Sequence, residues 1–168
     1  MNDNPHFEKV ASWKAARKLL DFEPLVLENT KRQRLQSLYV YVRDHKQREL
    51  PAGDRSLEAY FDGFVFTQKQ ATTAEARRLA LSTPYGLEGR DTQVATHPGR
   101  LYELGPVPPP DDIDGRSPAV VVWHDGRMFY LIASTEKQAG ELLGIAQSLY
   151  DPSSKGARRK RADRHRKK

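Results

Sequence analysis

The chain has 168 residues, 38% of them hydrophobic and 30% charged, with 28 Lys/Arg against 22 Asp/Glu and no cysteine. That length suits one domain with a single sizeable core plus an appendage. The missing cysteine excludes disulfides, thiolate metal sites and cysteine nucleophiles, and no stretch approaches the roughly 18 apolar residues of a membrane span.

Asn4-Pro5 reads as a helix cap followed by proline at the first helical position. Val10, Trp13, Ala16 and Leu20 follow at helical spacing, so a helix is expected from about residue 5 to 20. These first residues lack the apolar core of a secretory signal, which makes the cytoplasm the default location. Pro24 ends the helix, Leu25 to Leu27 are expected to be briefly extended, and residues 28–34 are polar loop. Leu38, Val40 and Val42 then alternate with Tyr39 and Tyr41, the period-two pattern of a strand with one face in the core. After a turn region around Pro51 and Gly53, Leu57, Ala59 and Phe61 alternate again. Asp62-Gly63 is a hairpin signal, with Phe64 to Gln68 as the returning strand.

Thr72 to Leu81 is rich in helix formers behind a threonine cap and predicts a short helix. Thr92–Thr96 and Arg100–Leu104 predict two short strands about a His97-Pro98-Gly99 turn. The segment GPVPPPDDIDGRSP is surface loop, because its prolines cannot serve a ladder. The stretch from Ser117 to Tyr150 is the clearest in the chain. Two apolar runs flank Asp125-Gly126, and a two-residue turn there would set His124 opposite Arg127, Val122 opposite Phe129 and Val120 opposite Leu131. Both faces are largely apolar, so this hairpin should be central and covered on at least part of both sides. Thr135 with Gln138 makes a capping-box pattern for a last helix, striped by Leu142, Ile145 and Leu149 and stopped at Asp151-Pro152.

These elements make an α+β fold: a mostly antiparallel sheet of about six or seven strands with an N-terminal and a C-terminal helix, spanning residues 1–152. Residues 153–168 form a basic tail with almost no apolar residue, expected to be disordered. The net charge of +6 is unevenly spread. Residues 155–168 hold nine Lys/Arg and one Asp, a balance of +8, which leaves 19 basic and 21 acidic residues, or −2, for everything before them.

Three places give the chain a family resemblance. One is the pattern W-x-x-G-x-x-[FY]-x-L at Trp123, Gly126, Phe129 and Leu131, followed by a helix ending in I-A-x-S-L at Ile145–Leu149. Another is the aromatic strand YFDGFVFTQ, with its glycine and Gln68. The last is the opening helix that runs into an apolar segment near Pro24. Over about residues 10–150 the chain thus resembles an uncharacterised bacterial α+β domain family of unknown function. Its members often form the extracytoplasmic C-terminal part of anchored proteins. The resemblance implies no activity for named residues, and the chain shows no anchor or export signal to match that setting.

The tail carries the strongest functional signal. Arg158, Arg159, Lys160, Arg161, Arg164, Arg166, Lys167 and Lys168 can neutralise several phosphates without reading sequence, as contacts to RNA or DNA. An acidic membrane surface fits less well, since the tail has no apolar side chain to insert. Tyr39, Tyr41, Tyr60, Phe64 and Phe66 would stack bases if they lay on an open sheet face. Core packing is the simpler expectation, and neither the element order nor the strand signature of an RNA-recognition fold is present. Asp111, Asp112 and Asp114 resemble the start of a calcium loop, but the closing Glu is replaced by Trp123, so Asx turns suffice. His6, His45, His97, His124 and His165 have no metal-ligand spacing, and Ser134 and Ser148 lack a nucleophile elbow. No cofactor is expected. The leading expectation is a non-enzymatic binding or adaptor module, with a protein partner for the folded part and nucleic acid for the tail. The alternative is a small-molecule binder or small enzyme with a pocket at the open end of the sheet near His97.

Overall fold

The computed structural model describes residues 4–82, 89–103 and 119–151. Its centre is one eight-stranded sheet in the order β1-β2-β3-β4-β8-β7-β6-β5, in which every neighbouring pair is antiparallel. The strands are β1 (Phe7–Val10), β2 (Leu35–Tyr41), β3 (Ser56–Phe61), β4 (Phe64–Gln70), β5 (Gly89–Val94), β6 (His97–Glu103), β7 (Ala119–His124) and β8 (Met128–Ser134). The helices are α1 (Trp13–Leu19), α2 (Thr73–Ser82) and α3 (Ala139–Ser148). The α+β class stands, with eight strands rather than six or seven.

Two four-stranded meanders lie side by side, joined by the β4–β8 ladder, which runs from Val65↔Ala133 to Gln70↔Met128. Alternation decides which side chains go inward. Leu38, Val40, Leu57, Ala59, Phe61, Phe64 and Phe66 of the first meander join Val121, Trp123, Tyr130 and Ile132 of the second in one core. Ala16 of α1 and Ala139, Leu142 and Ala146 of α3 close over it. Among the described residues the opposite face is covered by a helix over the second meander only. There α2 lays Ala76 and Ala80 on Tyr102, Val120, Val122 and Phe129. β7 is therefore buried along its whole length, as the apolar character of both its faces requires.

Several expectations about local structure are corrected. Residues 7–10 are a strand, not the first turns of a helix. Asn4 opens a turn, its side chain accepting from His6 N at 3.0 Å, and Phe7–Val10 pairs with Tyr41–Leu38. Helix α1 starts only after Ser12, whose hydroxyl accepts from Ala15 N. An available sheet edge outweighs a weak helical preference. Val26 is exposed and Leu27 buried, and residues 25–27 form no strand. The turn between β5 and β6 is Ala95-Thr96, with Ala95 at φ 54°. His97-Pro98-Gly99 therefore belongs to β6. Pairing with β7 begins only at Gly99, so Pro98 has β5 alone as its neighbour, a position that tolerates proline.

The β7–β8 hairpin keeps its expected faces but slides by two residues, with His124 opposite Phe129 and Val122 opposite Leu131. Its central residues are Gly126, at φ 95°, and Arg127. Glycine thus occupies the first central position, where a II′-type turn demands it. The Asp125 carboxylate holds the turn by accepting from Arg127 N at 2.9 Å and Met128 N at 2.8 Å. Helix α3 begins three residues later than expected. Its capping box is Gln138 with Glu141, not Thr135 with Gln138. Residues 134–137 are held out of the helix by Ser134, whose hydroxyl accepts from Glu136 N and Lys137 N and donates to Gly63 O. The acids Asp111, Asp112 and Asp114, the proline-rich loop and Pro152 lie outside the described residues.

Candidate functional site

The tail residues singled out from sequence, Arg158, Arg159, Lys160, Arg161, Arg164, Arg166, Lys167 and Lys168, lie outside the described residues, as does His165. What the structure adds is the surface that accompanies them, and it divides the five aromatic strand residues into two groups.

Phe64 and Phe66 point into the core with Phe61 and Trp123. Phe61 and Phe64 stack at 4.9 Å, and Phe66 lies 6.0 Å from the Trp123 ring. Tyr39, Tyr41 and Tyr60 lie on the other face, because one residue along a strand reverses the side. They form a continuous ladder of rings. Tyr60 meets Tyr39 edge-on at 5.6 Å, Tyr39 meets Phe7 edge-on at 6.4 Å, and Phe7 meets Tyr41 at 5.2 Å. His6 closes the row at 6.2 Å from Tyr41. The apolar cluster under α2 contains nothing from β1, β2 or β3, so among the described residues no helix lies over this half of the face. Tyr60 retains 39% of its surface, and the other rings of the ladder are half-buried against one another.

Polar side chains share this face, with Ser37 opposite Tyr60, Ser56 opposite Tyr41 and Thr67 opposite Glu58. Lys9 lies opposite Tyr39 and is exposed, and Lys69 lies at the far side of β4, opposite Phe129. Glu58, also opposite Tyr39, accepts from the Tyr60 hydroxyl at 2.7 Å. Burial and that carboxylate push the Tyr60 phenol up to about 12, so the ring is neutral across the physiological range. Phe7 and Lys9 were hidden from the sequence reading by their assignment to a helix. The alternation Phe7, Lys9 against Glu8, Val10 was the available signal.

A second group of polar aromatics gathers at the β7–β8 turn. Trp123 Nε1 donates to the Tyr150 hydroxyl at 2.8 Å. The His97 ring lies 5.0 Å from Tyr150. The Tyr130 hydroxyl approaches Asp125 at 3.4 Å, and burial together with that carboxylate holds its phenol far above the usual range. Beside them is an open groove of about 350 Å³ lined by Ala95, Gly144, Gln147, Ser148, Tyr150 and Asp151. Gln147 spans it, accepting from Ala95 N and donating to Gln93 O. On the opposite face His124 is buried, and desolvation, then the Arg77 cation, lower its pKa from 6.5. His6 bonds the Asp44 carbonyl through Nδ1. The Ser148 hydroxyl is spent on Ile145 O. Among the described residues no three His, Asp or Glu side chains are placed to share a metal ion, and no helix is long and apolar enough to cross a membrane.

Comparison of the chain with known protein families, with curated proteins and with solved structures finds no match.

Proposed function

We propose that the protein is a non-enzymatic binding module of the cytoplasm, in which the cations of residues 155–168 attract a polyanion, nucleic acid, while the folded body offers a surface to its partners. The observation that carries this reading is the separation of charge: +8 in the last fourteen residues against −2 in the rest. A run of cations without apolar residues gains little by packing and much by releasing counterions from phosphates.

The test is binding of single- and double-stranded RNA and DNA over a salt series, with the full chain and with residues 155–168 removed. Contact with Z phosphates gives a log–log salt slope of about −0.7Z for single strands. The full chain should show a steep slope, and the shortened chain a nearly flat one with much weaker binding. Equal binding by both chains, or none by the full chain, overturns the reading.

A second reading, a small-molecule binder or small enzyme, draws on the groove beside His97 and Tyr150. The groove is open rather than deep, and the side chains of Gln147, Ser148 and Tyr150 on it already bond within the chain. A ligand that raises the melting temperature of the shortened chain and loses that effect in His97→Ala would favour it.

A further inference from the structure

We propose that Phe7, Tyr39, Tyr41 and Tyr60 form a stacking platform for single-stranded nucleic acid, a proposal that rests on the polyanion reading above and names where the bases go. The ladder crosses three adjacent strands, and ring-to-ring contacts of 5.2 to 6.4 Å fix its members relative to one another. It lies on the half of the sheet face that α2 leaves uncovered. A sheet in water normally turns polar residues outward, and four rings in a row on the solvent side call for an occupant with flat, apolar faces.

Charge decides between occupants. Lys9 stands beside the ladder and Lys69 beyond its β4 side, and the carboxylate of Glu58 opposite Tyr39 is already engaged by the Tyr60 hydroxyl. The same chain supplies nine further cations in residues 155–168. Aromatic rings for bases combined with cations for phosphates are what sequence-tolerant binding of single strands uses. A duplex hides its base faces, so it engages the cations and not the rings. The platform therefore predicts a preference for single strands that the tail alone does not give.

The experiment measures fluorescence anisotropy with a deoxythymidine oligonucleotide of about 20 nucleotides and with a duplex of the same length, well above the usual site size. The proteins are the full chain, Tyr60→Leu, Tyr39→Leu, the matching Tyr→Phe variants and the chain lacking residues 155–168. Each Leu variant should lose about tenfold in single-strand affinity, while duplex affinity and salt slope stay unchanged. Each Phe variant should remain close to the parent, since the ring rather than the hydroxyl stacks. Tyr60 is more than one-third exposed, so Tyr60→Leu leaves the core untouched and keeps the test valid even if Tyr39→Leu unfolds.

Single-strand affinity unchanged in Tyr60→Leu, or lost equally for the duplex, overturns the platform. If the shortened chain loses all binding while the ring variants lose none, the polyanion reading stands and the platform falls. If the full chain binds neither probe, both fall. Conversion of a dimer to a monomer by Tyr60→Leu, with nucleic-acid binding intact, makes the face a contact between copies and also overturns it.

Discussion

Gln68 is the one wholly buried amide among the described residues, at 0% exposure. It sits on β4 between Leu57 and Tyr130 and reaches across to the segment after α1. There its Oε1 accepts from Leu25 N at 2.8 Å and its Nε2 donates to Leu25 O at 2.7 Å. The side chain thus does for Leu25 what a neighbouring strand would do, and it fastens a strandless stretch against the sheet. Replacing it by Leu strands both backbone groups, at about 1–3 kcal/mol each when fully buried. Leu25 is only partly buried, so the lower end applies, and the added apolar burial returns about 1 kcal/mol. The net cost should be about 1 kcal/mol, or roughly 2–4 °C in melting temperature for a domain of this size. Urea unfolding followed by circular dichroism measures it. Gln68→Glu adds a check with a sign. A buried glutamate has its pKa raised, so its penalty is small in acid and grows as pH rises past the unfolded value near 4.3. A Gln68→Leu variant within about 0.5 kcal/mol of the parent, the ordinary range for surface changes, would refute the reasoning, and so would a pH-independent Gln68→Glu variant.

Other substitutions read out other parts of the fold. A Cβ at Gly99 would overlap the Val122 carbonyl oxygen and sit 3.1 Å from the Trp123 Cβ. Gly99→Ala should therefore cost about 1–3 kcal/mol in urea unfolding. A Cβ at Gly126 would meet only Thr73 Oγ1, at an ordinary contact distance of 3.8 Å, but the residue has a φ of 95°, so Gly126→Ala should cost about 1–2 kcal/mol through backbone strain. His124 has its pKa lowered by burial, then by Arg77, with Asp125 opposing. The unfolded chain therefore takes up a proton first, and stability falls as pH drops below about 6.5. His124→Phe should flatten that part of the pH–stability curve, as read by thermal melts at several pH values. Trp123→Phe leaves the Tyr150 hydroxyl without its indole partner and should cost about 1–3 kcal/mol, most of it from lost volume.

The parts of the fold legible in the sequence are those with a strong local signal. Leu38 and Val40 in β2 with Val42 just beyond it, Leu57, Ala59 and Phe61 in β3, and β7 declare their faces through their apolar pattern. Thr72 caps α2 as its chemistry suggests, accepting from Glu75 N. β1 was misread because four residues carry too little pattern to compete with a plausible helix, and only its pairing with β2 makes it a strand. Pro98-Gly99 looked like a turn because both residues break regular structure. Here glycine serves the close approach of β7, and proline occupies a position with one neighbour. The β4–β8 junction leaves no local mark, since it joins residues far apart in sequence. The same limit applies to the aromatic residues. That Tyr39, Tyr41 and Tyr60 share one face follows from their spacing, but that α2 packs over the other half of that face depends on where α2 lands. The tail's charge was legible at once, since net charge needs no fold.

The junction between the two meanders has a consequence for assembly. Each half can zip its own hairpins from near neighbours in sequence, a fast and inexpensive process. The six residue pairs from Val65↔Ala133 to Gln70↔Met128 must wait until both halves exist, because closing so long an intervening loop is entropically costly. This seam should therefore form last. Cutting the chain between residues 82 and 89 would leave it as the principal joint by which two separately made fragments find each other again.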